Sequence, residues 1–162
     1  MDLLSLFPIQ CAKFQKFIYF VRCSMVPPRS EKPSVIILWG PTGTGKTRAA
    51  VGKDPSKTFI VSRPDSGRPL WWDGYQGQPR VVIDDFYGWI PWSYLLQLLD
   101  RYPFMVEIKG GKVNFNSPEI YITSNTDHHS WYKNIPNNDV TPLTRRIDRE
   151  IWKDKYLEEE FY

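Results

Sequence analysis

Two cysteines are all that the 162 residues contain, Cys11 and Cys23, both within the first thirty positions. They have neither zinc-ligand spacing nor ligating neighbours, so a disulfide scaffold is excluded and free thiols in a reducing compartment are expected. Histidine is as scarce. His128 and His129 stand side by side, on opposite sides of an extended chain, with no cysteine nearby to complete a metal site. Long apolar runs are missing too: Lys13 and Lys16 interrupt the first thirty residues, and no membrane span is expected. Asp2 and those lysines disfavour a secretory signal, while a transit peptide has only the lack of acids between Asp2 and Glu31 in its favour. Nor does either sign of charge dominate. Lys13, Lys16, Arg22 and Arg29 against Asp2 account for the whole net charge of +3, so the remainder is balanced. Bulk charge therefore gives no argument for nucleic-acid binding, and any such case rests on local clusters.

The chain divides into an N-terminal segment, residues 1–33, and a body, residues 34–162. In the first, Phe14, Phe17, Ile18 and Val21 recur at helical spacing. Pro27-Pro28 stops that helix, and the polar stretch up to Pro33 reads as a linker. So short a helix cannot bury its stripe alone and must dock on the body or on a neighbouring chain. From Ser34 the pattern changes to apolar runs, SVIILWG, TFIVS, RVVIDDF and EIYITSN, which read as strands. They are separated by a helix starting near Lys46, by another with Pro91 in its first turn and a stripe of Trp92, Leu95, Leu96, Leu99 and Tyr102, and by a helical turn at TPLTRRID. Alternation of this kind predicts an α/β domain with a mainly parallel sheet.

Gly40-Pro41-Thr42-Gly43-Thr44-Gly45-Lys46-Thr47 matches G-x-x-x-x-G-K-[ST] in full, between an apolar strand and a helix. Glycines let backbone N–H groups curl around phosphate oxygens, and the helix start adds a favourable dipole. Lys46 supplies a point charge toward the β and γ phosphates of ATP, and the Thr47 hydroxyl is a ligand for Mg2+. A P-loop also needs an acid at a buried strand end. Asp84 follows three apolar residues and fits the Mg2+ shell; Asp85 is placed to orient or deprotonate water. Asn125 ends another strand, and ligands of open α/β sheets bind at such carboxyl ends.

Between these elements lies MVEIKGGKVNF, which predicts a β-hairpin closed by Gly110-Gly111. That pairing sets Lys109 opposite Lys112, Ile108 opposite Val113 and Val106 opposite Phe115. Like charges directly opposite are destabilising. A solvated tip and a grip for an anion both fit, and the hairpin alone does not choose. Trp71 and Trp72 read as packing residues, with the lining of an adenine pocket or subunit contact as the alternative.

GPTGTGKT, WWDGYQG, VVIDDFYGWIPW, LLDRYP, EIKGGKVNF and ITSN together resemble the helicase domain of circovirus-like replication initiator (Rep) proteins, over about Pro33 to Arg149. The resemblance implies a superfamily-3 helicase of the AAA+ class, a P-loop NTPase with an inserted hairpin. Gly40 to Thr47 would be Walker A, Asp84 and Asp85 Walker B, and Asn125 the sensor. Lys109, Gly110, Gly111 and Lys112 would contact nucleic acid, and Arg145 or Arg146 would be the arginine finger, with Arg146 preferred. It also implies a homo-oligomeric, hexameric ring moving on single-stranded DNA, with the host nucleus as its place of action and the cytoplasm as the alternative. The family's nicking domain, with its His-hydrophobic-His site, has no counterpart in these residues, so nicking is not expected. Two other functions fit the same motifs. One is an RNA helicase of the positive-strand virus type; the other is a truncated, non-catalytic protein that binds nucleotide and nucleic acid.

Overall fold

The computed structural model describes residues 6–154. Helices α1 (Pro8–Lys13) and α2 (Gln15–Ser24) open the described chain. The apolar stripe read from the sequence is not what α2 buries: Phe14, Phe17 and Val21 stay exposed, and Ile18 is only half-buried. The helix docks through a neighbouring stripe instead. The Tyr19 hydroxyl accepts the Gly74 N–H at 3.0 Å, and Cys23 and Val26 enter the core. The following stretch is anchored as well. Arg29 is buried and donates to the carbonyls of Gln97, Leu98 and Tyr102 at 2.5, 2.5 and 2.6 Å. Those carbonyls belong to the last turn of the helix Trp92–Leu98 and to the segment after it, so one side chain fastens the expected linker to the body.

Strand β1 (Ser34–Trp39) buries Val35 and Ile37 on one face and Leu38 on the other, as its unbroken apolar run requires of a central strand. Next come α3 (Lys46–Val51), β2 (Thr58–Val61), β3 (Arg80–Ile83) and α4 (Trp92–Leu98). The hairpin of β4 (Met105–Ile108) and β5 (Gly111–Asn114) precedes β6 (Glu119–Ser124), α5 (Thr141–Thr144) and β7 (Arg149–Trp152). Among the described residues, five strands form one wholly parallel sheet in the order β2-β3-β6-β1-β7, and β4-β5 is a separate antiparallel pair. The domain is thus α/β, with the P-loop strand between the sensor strand and an edge strand. That order brings the carboxyl ends of β1, β3 and β6 side by side, where the site forms.

Two details differ from expectation. The sequence gives no sign of β7, because Arg149–Trp152 is short, half charged and largely exposed at the sheet edge. The hairpin register is also shifted by two. Val106 pairs with Val113, Glu107 with Lys112 and Ile108 with Gly111, so the two-residue loop is Lys109-Gly110. Gly110 has φ +96°, which fits the third position of a type II turn and leaves Lys109 in ordinary backbone. A slip of two residues preserves the faces, and Val106, Ile108, Val113 and Phe115 are all buried as their alternation predicts.

On the buried side of the hairpin, Trp72 stacks on Phe59 with ring centroids 5.7 Å apart, and Tyr75 on Phe115 at 5.6 Å. Trp72 is a core residue with no exposed surface, which settles the packing reading for it; Trp71 is partly exposed. No helix among the described residues is long and apolar enough to cross a membrane.

Candidate functional site

Gly40 is held against the edge strand: a Cβ there would lie 2.1 Å from the Lys153 carbonyl oxygen, so only glycine fits. From this point the loop turns away from the sheet, with Gly43 and Gly45 in left-handed backbone. The Thr44 hydroxyl donates to the Pro41 carbonyl at 3.0 Å and ties the loop to itself. Lys46, the first residue of α3, folds its ammonium back to donate to the carbonyls of Gly40 at 2.9 Å and Pro41 at 2.6 Å. Burial pushes that ammonium below its ordinary pKa, and Asp85 and Asp84 partly oppose the shift. A partly dehydrated cation held by neutral carbonyls gains when an anion arrives.

Across the cavity, Asp84 follows β3. Its Oδ1 accepts from the Thr47 hydroxyl at 2.7 Å and from the Thr123 hydroxyl at 2.8 Å. The Thr123 oxygen in turn accepts the Asp85 backbone N–H at 2.9 Å. Thr123 is buried in β6 and joins the P-loop, the acidic strand end and the sensor strand in one network. Sequence reasoning passed over it. Its signal was a hydroxyl near the carboxyl end of a buried strand, EIYITS, directly before the sensor position. Asp85 adopts φ +48°, a left-handed backbone uncommon outside glycine, and Asn125 Nδ2 donates to its Oδ1 at 3.2 Å. Thr42 to Arg48, Asp84, Asp85, Thr123 and Asn125 line one cavity of about 410 Å³. The predicted phosphate, metal and water-orienting residues therefore meet in one place. A hydroxyl and a carboxylate in contact suit a hard cation such as Mg2+, which is held by few protein oxygens and completes its shell with water and phosphate.

The other predicted residues lie elsewhere. Arg146 is not unpaired: its guanidinium bonds the Asp100 carboxylate and donates to the Pro142 carbonyl at 2.6 Å, and its side chain is 14% exposed. Its partner is Asp100, just past the end of α4, while the nearby Asp148 pairs with Lys32 and Glu150 with His128. Arg145 is exposed, and among the described residues no acid pairs with it. At the hairpin, the corrected register gives each lysine an acid. Lys112 lies 3.5 Å from Glu107, and Lys109 lies 3.4 Å from Asp73, which also accepts the Lys109 N–H at 2.7 Å. Both lysine side chains are more than half exposed, so these pairs are weak and open to competition.

His128 is buried, with one ring nitrogen 3.0 Å from the Thr144 hydroxyl and the other 3.1 Å from Glu150. Asp127, His128 and His129 offer ligand atoms within 4.8 Å of one another. Both His128 nitrogens are already engaged, so the ring braces the loop that leads to Arg145.

A family model for RNA helicase matches residues 36–126, a span that contains the whole cavity lining. The replication-associated protein of porcine circovirus 2 is 47% identical over 128 residues, covering 78% of this chain and 40% of that protein. Its counterpart in beak and feather disease virus is 44% identical over 125 residues, covering 77% and 40% respectively. That of human associated cyclovirus 1 is 44% identical over 141 residues, covering 85% and 48%. The chain thus spans less than half the length of these relatives. A solved apo structure of the NrS-1 C-terminal region covers 99% of this chain and 38% of its own, at 15% identity and a TM-score of 0.47.

Proposed function

The chain belongs to the RNA helicase family, and from that premise we propose that it is an ATP-hydrolysing motor of the Rep type, acting on single-stranded nucleic acid, DNA in preference to RNA. The observation that carries the reading is Asp84, bonded at one oxygen by hydroxyls of both the P-loop and the sensor strand. An acid needed only to end a strand has no use for Thr47.

Thr47 and Asp84 would hold Mg2+, which supplies a Lewis acid at the phosphate oxygens when bound. Lys46 would exchange the Gly40 and Pro41 carbonyls for phosphate oxygens, gaining an ionic partner for a neutral one. Asp85 is fixed by Asn125 through one oxygen, leaving the other free to accept a proton from an attacking water. Asn125 keeps its carbonyl to align the same water. Arg145, rather than Arg146, is the finger on this reading, reaching the nucleotide of a neighbouring copy in a homo-oligomeric ring of the hexameric kind. The hairpin lysines would bind phosphates by displacing Asp73 and Glu107, and the host nucleus is the proposed place of action.

The RNA alternative is favoured by the family's description alone. Turnover measured with matched single-stranded DNA and RNA oligonucleotides decides between them. Greater stimulation by DNA is expected, and stimulation by RNA alone would reverse the assignment.

A further inference from the structure

The phosphate cavity has nowhere to put a base. Its lining, from Thr42 to Arg48 with Asp84, Asp85, Thr123 and Asn125, contains no aromatic or aliphatic residue against which a base could stack. The sheet order fixes the direction in which the rest of a nucleotide leaves. Asp84 and Asn125, which serve the terminal phosphate, follow β3 and β6 on one side of β1; on its other side, among the described residues, lies β7. A nucleotide with its γ end at Asp84 must therefore carry its nucleoside toward the β7 end, about one strand spacing (~4.8 Å) beyond the P-loop strand.

An aromatic pair stands there. Trp39, the last residue of β1 and the one before Gly40, is in register with Trp152, the last residue of β7. Their rings meet edge to face, with centroids 4.4 Å apart and planes at 70°. Trp39 is half-buried and braces its partner, whereas Trp152 is 51% exposed. Position is fixed by backbone as well as by packing. The Lys153 N–H donates to the Trp39 carbonyl at 2.8 Å, and the Lys153 carbonyl abuts Gly40. A large indole half open to water, braced from behind and locked to the start of the phosphate loop, is a preformed flat apolar surface beside that loop. Tyr87, an exposed aromatic near the acids, follows β3 on the opposite side and clasps Arg63.

We propose that Trp152 is the platform on which the nucleotide base stacks, with Trp39 as its brace. This rests on the phosphate-site reading above and extends it to the other end of the substrate. Stacking on an indole recognises a π face and not a hydrogen-bond pattern, so every base is accepted in proportion to its overlap. The substrate class is then purine nucleoside triphosphates, with little distinction between adenine and guanine and weaker use of pyrimidines.

Calorimetric titration of ADP and of inorganic tripolyphosphate into wild type, Trp152→Ala and Trp152→Phe tests this. ADP affinity should fall about 5- to 150-fold in Trp152→Ala, the range of base–aromatic stacking, and stay within about threefold of wild type in Trp152→Phe. Tripolyphosphate, which has no base, should bind all three alike. ADP and GDP should bind wild type within about threefold of each other, and CDP and UDP more weakly. Unchanged ADP affinity in Trp152→Ala with tripolyphosphate binding intact overturns the platform alone. Failure of wild type to bind tripolyphosphate overturns the phosphate site, and the platform with it.

Discussion

Thr47 and Asp84 are 37 positions apart in the chain and 2.7 Å apart in the fold. One sits in the first turn of the helix after the P-loop and the other ends a strand two places along the sheet, and Thr123 on the strand between them bonds the same carboxylate oxygen. The P-loop and the acidic strand end are thereby one unit before any ligand arrives.

That bridge is open to a volume-matched change. Thr123→Val keeps the β-branched shape and removes the hydroxyl that Asp84 and the Asp85 N–H both use. Stability is expected to fall by about 1–3 kcal/mol, the cost of an unpaired buried polar group. Turnover should fall about 10- to 100-fold, as when residues supporting a metal ligand are removed. Thr123→Ser should recover most of both. Denaturant unfolding and phosphate release measure the two effects, and a fully active Thr123→Val would deny the bridge a role.

Most of this site could be read in the sequence, because its key residues sit at fixed offsets within a local motif or at the end of an apolar run. Lys46, Thr47, Asp84, Asp85 and Asn125 are of that kind, and they meet in one cavity. What could not be read depends on contacts between distant segments. The Lys109–Asp73 pair spans 36 positions, and the Arg146–Asp100 pair 46. The hairpin register escapes sequence reading for a subtler reason. Gly110 and Gly111 both permit the turn, and a slip of two leaves every side chain on its face, so hydrophobic alternation cannot tell the registers apart. The N-terminal stripe misleads because helical spacing gives a face but not whether the fold covers it.

The corrected hairpin makes a prediction in both directions. Lys109→Ala with Lys112→Ala should weaken single-strand binding and flatten its salt dependence by about 0.7 in log–log slope for each phosphate that is no longer neutralised. Asp73→Asn and Glu107→Gln, which remove the competing acids, should tighten binding. Binding isotherms at several salt concentrations check this. An unchanged slope in the lysine pair would make the tip a solvated turn.

The adjacent arginines separate by stability and by complementation. Arg146→Ala should cost about 1.5–3 kcal/mol, since it strips a charged hydrogen-bond partner from Asp100, whereas Arg145→Ala should leave the unfolding midpoint unchanged. Mixing Arg145→Ala chains with Lys46→Ala chains should restore part of the turnover that each lacks alone, because one supplies the phosphate site and the other the finger. No recovery at any mixing ratio would remove Arg145 from that role.

Asp100 also sets an acid limit. Burial alone would raise its carboxyl, but the Arg101 N–H and the Arg146 guanidinium outweigh this and hold it below its ordinary value. With the folded value below an unfolded one of about 3.9, the stabilisation is complete above pH 4 and disappears as pH falls through the folded value. Urea midpoints between pH 2 and 7 should decline on the acid side less steeply in Asp100→Asn than in wild type. An identical acid slope in the variant would mean that the pair does not govern it.

Phosphate release from Mg2+-ATP by wild type and by Lys46→Ala, at matched chain concentrations with single-stranded DNA present, bears most directly on the central claim. Steady turnover by wild type and a loss of at least about a hundredfold in the variant, with its unfolding midpoint preserved, is the expected result. Equal turnover by the two chains would show that hydrolysis does not occur at this site.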